Sequence, residues 1–414
     1  MIIDSKKYSG KCSCGKSHEM TTEFCLIESG ALSQLEKYAS KYGLSGFSVA
    51  VYDENKYKAF DGVRPRAGLE VILPPDNLHA NEHGVELLMK SLPEKVDYLI
   101  ALGSGTIHDI TRYCAYLLGI DFISCPSAAS VDGFCSSVAA MTWHGHKKTL
   151  IAVAPKLVIA DLDVISKAPI RLARSGFGDM IGKLVALTDW RIANLLTGEH
   201  FCKKIYDMTL KATREVIDSA SGIRDGEISA YEKLTYGLLM SGIAMQLLGS
   251  SRCASGAEHH ISHFIEVGPA IDGIRSDALH GEKVGVGTML AVSEYRRLVE
   301  GKHEWRDYPS LTSNEITTVF GERLAESVIA ETATDSAVTI TARLLTDNWD
   351  SICEIVKECL PTKKDLLETY SVLEIKSTLS DIGIKDSLAD AILDFSPMVR
   401  NRLTLMRLRR ALKG

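Results

Sequence analysis

The sequence predicts an α/β domain built on a Rossmann-like, doubly wound parallel sheet, followed by an all-α helical domain. Three observations carry this. Short β-rich runs alternate with helix-spaced segments as far as about residue 165, and beyond that point the β-branched runs almost vanish. Within the first part, a glycine turn joins a strand directly to a helix. Strands alternating with helices imply parallel pairing. The domains are therefore expected at 1–167 (nucleotide-binding) and 168–414 (helical, metal- and substrate-binding).

The β-rich runs are GFSVAVYDE, LEVILPP, VDYLIALGSG, DFISCPS and TLIAVAPKLVIADLD. Between them, HANEHGVELLMKSLP and TIHDITRYCAYLLG place apolar residues at helical spacing. In the second part, CKKIYDMTLKATREVIDSA and ITTVFGERLAESVIAETATDSAVTITARLL read as amphipathic helices. The closing RLTLMRLRRALKG reads as a helix with a solvated basic face.

With 414 residues, 45% hydrophobic and a formal charge of -6, the chain has room for two full cores. Its dispersed cations argue against a nucleic-acid partner. No apolar run approaches the ~20 residues of a membrane helix, and MIIDSKKYSGKCSCGK lacks the apolar stretch of a secretion signal. No membrane association and a cytoplasmic location are expected. Ten scattered cysteines fit reduced thiols better than a disulfide framework.

The stretch DYLIALGSGTIHDITRY is a strand, a tight turn and a helix. Gly103 and Gly105 allow the backbone close to a phosphate, and the first amides of the helix supply donors and partial positive charge. Asp53 closes the strand in VAVYDENKY. A carboxylate there could accept from an adenine ribose and would repel a 2′-phosphate, so NAD is preferred over NADP, with NADP still possible. The same Asp-Glu-Asn is also good turn chemistry. The loop PSAASVDGFCSS offers the small hydroxyls of Ser127, Ser130 and Ser136, and Asp132 before Gly133.

Histidine is used oddly in GAEHHISHFIE. His259 and His263 are i and i+4 and share a helix face, Glu266 lies near the same stripe, and His260 points away. His280 opens a second helix in HGEKVGVGTML, and Asp179 is expected among small residues at the head of a helix in SGFGDMIGK. Two imidazoles and one carboxylate make a three-ligand catalytic site with open positions.

The motifs GSGTxHD, PSAxSxDG, GxGDMxxK, HHxSHxxE and LHGEKVxxG occur in that order. Together they resemble the metal-dependent dehydrogenases grouped with glycerol dehydrogenase, iron-type alcohol dehydrogenase and dehydroquinate synthase. Within that group they are most similar to the glycerol-1-phosphate dehydrogenase branch. The resemblance implies a dehydroquinate synthase-like fold. It also implies that Gly103, Ser104, Gly105, Thr106, Ile107 and Asp109 hold the NAD pyrophosphate. Ser127, Ala128, Ala129, Ser130 and Ser136 would line the nicotinamide side, and Asp132 would meet substrate. Asp179, His259 and His280 would bind one divalent metal, zinc or nickel, with Asp179 also touching substrate and His263 relaying a proton. The implied reaction interconverts dihydroxyacetone phosphate and sn-glycerol 1-phosphate. For the substrate phosphate, Lys147 and Lys148 beside His144 and His146 are candidates, although a solvated hairpin is the plainer reading of that segment. The rivals are a glycerol dehydrogenase acting on the unphosphorylated compounds and a dehydroquinate synthase-like lyase. A homodimer or larger homo-oligomer is expected.

The first 25 residues fall outside the resemblance. Cys12, Cys14, His18 and Cys25 are a conceivable donor set for structural zinc, but CxC is tighter than the usual C-x₂₋₄-C. A cysteine-bearing turn is the plainer expectation.

Overall fold

Alternate residues of one strand set the two faces of the main sheet. In β7 (Tyr98–Gly103), Ile100 and Leu102 pack into one core with Leu26, Tyr52, Ile123 and Ile159. Leu99 and Ala101 pack into the other with Val51, Ile110 and Phe122. Side chains alternate with period two along a strand. A sheet covered on both faces therefore needs continuous apolar runs, which is what YLIALG supplies.

The structure is a computed structural model and describes residues 1–75, 78–144, 146–332 and 336–413. The chain forms two units, Met1–Phe177 with Arg214–Ser250, and Gly178–Thr213 with Ser251–Gly414. The sequence reading divided the chain at residue 167. Here the sheet-bearing unit extends ten residues further and takes in helix Ile228–Leu248. That helix is buried around most of its circumference. A helix without a polar face shows that it is a core element but not which core it belongs to.

In the first unit the sheet runs β1-β4-β11-β8-β7-β5-β6, where β1 is Ile2–Asp4, β4 Phe24–Glu28, β5 Ser48–Asp53, β6 Leu69–Leu73, β8 Asp121–Pro126 and β11 Leu157–Asp161. All neighbours pair in parallel except β1, which is antiparallel to β4. The sequence reading did not single out β4, a strand of five residues. It also joined into one run what the chain separates. Thr149 to Ile151 close β10 (His146–Ile151), which pairs with β9 (Val138–Trp143) outside the main sheet, and β11 follows after Pro155. The Lys148 backbone lies in this hairpin, and the side chains of His146 and Lys147 fall outside the described residues.

The second unit is helical. Its elements include Ala257–Val267, His280–Glu300, Ala342–Cys359, Lys363–Leu373 and Ser313–Thr332, the last broken at Gly321 (φ 71). The basic tail departs from the expected solvated helix. Arg407 is buried and donates to the carbonyls of Pro397 and Arg400. Arg409 pairs with Glu294 and Asp394, and Arg410 pairs with Glu315. These cations tie elements of the unit together. No helix among the described residues is long and apolar enough to cross a membrane.

Candidate metal centre and nucleotide turn

Glycines let three helices approach closely in the second unit. A Cβ placed on Gly178 would stand 2.3 Å from the Gly281 carbonyl oxygen, and one on Gly287 would stand 2.5 Å from that of Glu258. Contacts this short leave no room for any side chain. Helix Ile170–Thr197, which carries Asp179, therefore packs backbone to backbone against helix His280–Glu300. The latter packs equally tightly on helix Ala257–Val267.

The packing brings Asp179, His259 and His280 together, each offering one ligand atom within 4.8 Å of the others. Asp179 is fully buried, His259 nearly so, and the His280 side chain keeps 29% exposure. Both histidines are oriented in the same way. The Glu258 carboxylate holds His259 Nδ1 at 2.7 Å, and the Glu266 carboxylate holds His280 Nδ1 at 3.0 Å. In the neutral ring that a metal requires, carboxylate acceptors put the proton on Nδ1 and leave Nε2 as the lone-pair donor. His259 Nε2 lies 3.5 Å from Asp179 Oδ1. A hard carboxylate with two imidazoles, and no thiolate, suits a divalent ion such as zinc, nickel or iron with positions open to substrate oxygens.

Lys183, one helical turn after Asp179, is wholly buried and places Nζ 2.7 Å from Asp179 Oδ1. Burial alone would push the Asp179 carboxyl up. The Lys183 ammonium, with His259 and His280, overrides it and holds the group well below the usual carboxylate range. For His259, burial and the Lys183 charge act downward, but bonds to Asp179 and Glu258 raise it to about 9. His263 is close to both rings, at centroid distances of 5.9 Å and 6.0 Å, and burial pushes it down to about 3. It is thus a neutral ring. His260, read as pointing away, is buried and kept neutral by desolvation.

Lys183 closes the motif GxGDMxxK, at i+4 from Asp179, but the sequence alone assigns it no role. Glu258 had no such signal, because neighbours i and i+1 do not ordinarily face each other on a helix. It reaches His259 from the first turn, where the same oxygen also accepts the Gly256 amide at 2.8 Å.

In the first unit, β7 turns into helix Gly105–Leu118 at Ser104. A Cβ on Gly103 would sit 2.7 Å from Ile107, so the turn requires glycine, whereas a Cβ on Gly105 would meet nothing within 4 Å. The Ser104 side chain does not cap the first amides of the helix, those of Gly105, Thr106 and Ile107. These are groups a helix cannot satisfy internally. Ser127 N donates to the Gly103 carbonyl at 2.8 Å, which pins the Ser127–Ser130 loop beside the turn. The Ser127 hydroxyl is buried without a hydrogen-bond partner among the described residues, and Ala128 and Ala129 after it are buried. The Ser130 carbonyl accepts from Ser175 at 3.1 Å. This arrangement fits a dinucleotide diphosphate.

Several expected cofactor residues already have structural partners. Asp53 caps helix Glu54–Ala59 by accepting from Lys56 N at 2.8 Å, the turn chemistry its sequence allowed. Asp109 pairs with buried Arg112 at 2.9 Å, whose other donors reach the carbonyls of Gly133, Phe134 and Val138. The Ser136 hydroxyl bonds to Val138 within its own loop. Asp132 accepts from Ser241 at 2.8 Å. Cys25, grouped in sequence with Cys12, Cys14 and His18, lies instead in the core on β4, where burial and Cys135 raise its thiol.

A nucleotide-type sheet unit together with a helical unit carrying a carboxylate–bis-imidazole centre defines the class of metal-dependent dehydrogenases. Residues 26–169 match the iron-containing alcohol dehydrogenase family. Solved structures with this fold include glycerol dehydrogenase from Schizosaccharomyces pombe (TM-score 0.55, 19% identity, 82% of this chain and 94% of that one). The iron-containing alcohol dehydrogenase from Thermococcus thioreducens is another (TM-score 0.59, 15% identity, 92% and 91%). Among sequences, the glycerol-1-phosphate dehydrogenase [NAD(P)+] of Bacillus licheniformis is 38% identical over 310 residues, 72% of this chain and 77% of that one. The enzyme of the same name from Halalkalibacterium halodurans is 31% identical over 417 residues, 98% and 97%. The chain belongs to the glycerol-1-phosphate dehydrogenases of the iron-containing alcohol dehydrogenase family.

Proposed function

We propose that this protein is a metal-dependent, NAD(P)H-linked oxidoreductase interconverting dihydroxyacetone phosphate and sn-glycerol 1-phosphate. The observation that carries the reading is the Asp179–His259–His280 cluster, buried except at His280, with both imidazoles anchored at Nδ1. Relatives bearing that enzyme name over most of the chain supply the substrate class.

In this reading Asp179, His259 and His280 hold one zinc or nickel ion, and Asp179 also contacts substrate. The amides opening helix Gly105–Leu118 receive the pyrophosphate. The Ser127 hydroxyl, with Ala128, Ala129 and Ser130, lines the nicotinamide side. Asp53 favours NAD by receiving the ribose on the carboxylate face left after capping. Asp109 acts on the pyrophosphate site through Arg112 and the loop it braces, and Ser136 by closing that loop. When bound, the ion polarises the ketone and the nicotinamide supplies the hydride. His263, a neutral ring, relays a proton to the developing alkoxide by releasing one from one ring nitrogen as the other takes one up from solvent. Asp132, oriented by Ser241, contacts substrate. We assign the cofactor to residues 1–167, from which Asp132 also reaches substrate, and the metal and the remaining substrate contacts to 168–414, in a homodimeric cytoplasmic enzyme.

NADH oxidation measured in parallel with dihydroxyacetone phosphate, dihydroxyacetone and a heptulosonate phosphate, with zinc and nickel varied, tests the reading. Turnover requiring the phosphorylated triose is expected. Equal turnover of free dihydroxyacetone would make the protein a glycerol dehydrogenase, and heptulosonate consumption without net NADH loss would make it a lyase. Asp179→Asn or His280→Ala should abolish turnover while dinucleotide binding persists.

A further inference from the structure

The N-terminal hairpin lies outside both the nucleotide turn and the Asp179 cluster. Strands β2 (Gly10–Lys11) and β3 (Ser17–His18) pair antiparallel, and the sequence CSCGK turns between them. Cys12 N donates to the Lys16 carbonyl at 2.9 Å and Gly15 N to the Cys12 carbonyl at 3.0 Å, with Gly15 at φ +88, a conformation that favours glycine. The chain thereby reverses inside the motif, so the tight CxC spacing in sequence does not set the distance to its partner. His18 returns on β3 almost wholly buried, with Nε2 3.3 Å from Cys14 Sγ. The Cys12, Cys14 and His18 donor atoms lie within 4.8 Å of one another.

The orientation of His18 is the decisive feature. Its Nδ1 donates to the Leu247 carbonyl at 2.7 Å, which fixes the tautomer and turns the Nε2 lone pair toward the sulfurs. Zn–S bonds of about 2.3 Å and Zn–N bonds of about 2.0–2.1 Å at a tetrahedral angle separate sulfur from nitrogen by about 3.5 Å. The Cys14–His18 separation is within a few tenths of that value. Two thiolates and an imidazole are soft-to-borderline donors that select zinc over magnesium or calcium.

The geometry points to a zinc site in which Cys12, Cys14 and His18 supply three ligands and water takes the fourth tetrahedral position, chemically distinct from the Asp179–His259–His280 cluster. Its effect is to fasten the hairpin to the C-terminal end of helix Ile228–Leu248. Gln246 of that helix accepts from Thr21 N and Thr22 N at 2.9 Å and 3.1 Å, and Ser241 of the same helix holds Asp132. The ion therefore fixes the helix that positions Asp132.

The two sites separate by their chemistry, because only this one has sulfur ligands. The test substitutes cobalt into the full-length protein and measures absorption and the X-ray absorption first shell. A thiolate-to-cobalt charge-transfer band, with at least two sulfurs and one imidazole nitrogen at a population of the ion, is expected. A His259→Ala/His280→Ala variant purified from zinc-containing medium should keep about one zinc per chain after dialysis. Adding Cys12→Ser and Cys14→Ser should remove that ion. Absence of the charge-transfer band in the wild-type protein, or zinc content unmoved by the two serine substitutions, overturns the proposal. The wild-type spectrum decides the matter even if a variant fails to fold, and neither readout depends on catalytic activity.

Discussion

Gly178→Ala is the sharpest test of how the metal centre is built. The new Cβ would be 2.3 Å from the Gly281 carbonyl oxygen and 3.2 Å from its carbon, whereas ordinary contact starts near 3.4 Å. The helices must separate by about 1.1 Å locally, and overpacking of this kind costs on the order of 1–3 kcal/mol. Gly178 precedes Asp179 and Gly281 follows His280, so the separation falls directly between two donors. Metal bonds tolerate roughly 0.2 Å. Alanine's better helix propensity, worth about 1 kcal/mol, cannot offset this. Gly285→Ala is the matched control. It lies on the facing helix His280–Glu300, one turn after Gly281, and its Cβ would meet nothing nearer than 3.4 Å, so only the propensity gain applies. Metal affinity by chelator competition, NADH binding by fluorescence, and turnover should all be measured. Gly178→Ala should weaken metal binding on the order of 100-fold or more with NADH affinity nearly unchanged, a loss at or beyond the range seen when second-shell support is removed. Gly285→Ala should match wild type in all three. Wild-type metal affinity in Gly178→Ala would show that close backbone packing does not set the centre.

Two further outcomes follow from named contacts. Glu258→Ala removes the acceptor at His259 Nδ1, and metal affinity should fall roughly 10–100-fold with the fold retained by circular dichroism; unchanged affinity would leave Glu258 as a helix-end acceptor for Gly256 alone. His108, fully buried with Nδ1 on the Ser104 carbonyl at 3.0 Å, is pushed by burial down to about 3, against about 6.5 in the unfolded chain. The folded state then binds fewer protons across that window, so the His108 contribution to stability is complete above pH 6.5 and is lost as pH falls toward 3. Between pH 7 and 4.5 the wild type should lose about 2–3 kcal/mol more, as an upper bound, than His108→Gln, which keeps a donor for Ser104. Equal urea-midpoint shifts in the two proteins would remove His108 as the titrating group.

What could be read from sequence divides along a physical line. Period-two and helical spacing made the sheet and the helical region visible, because each strand or helix carries its own pattern. Of the Asp179–His259–His280 cluster, the start of a helix at His280 was legible as a local feature, but Asp179, expected at the head of a helix, lies well inside helix Ile170–Thr197, because the glycines around it serve helix contact and do not mark a helix start. The surroundings of the cluster were not legible. The anchoring of His259 by Glu258 depends on a side chain bending back from the first turn to the Gly256 amide, a conformation that spacing rules exclude. The arginines of the tail looked solvated because burial of a cation depends on acceptors far away in sequence, such as Glu294, Glu315 and the Pro397 carbonyl. Asp53, read from its place at a strand end, and Asp109, implied by the family resemblance, each also have a partner in the fold that spacing does not show: the Lys56 amide for one, Arg112 for the other.

Lys183 links these two kinds of information. Its spacing from Asp179 was plain, but the reason for burying an ammonium there appears only when the helices pack so tightly that no water reaches Asp179. A buried carboxylate without a counter-charge would protonate or destabilise the helix pair, since breaking a buried ion pair costs on the order of 3–5 kcal/mol. The same dense packing that brings Asp179 to the two imidazoles therefore creates the need for Lys183. Tight helix contact, carboxylate and ammonium belong to one solution, and a chain that gave up Gly178 would strain the cluster that the ion pair was placed to support.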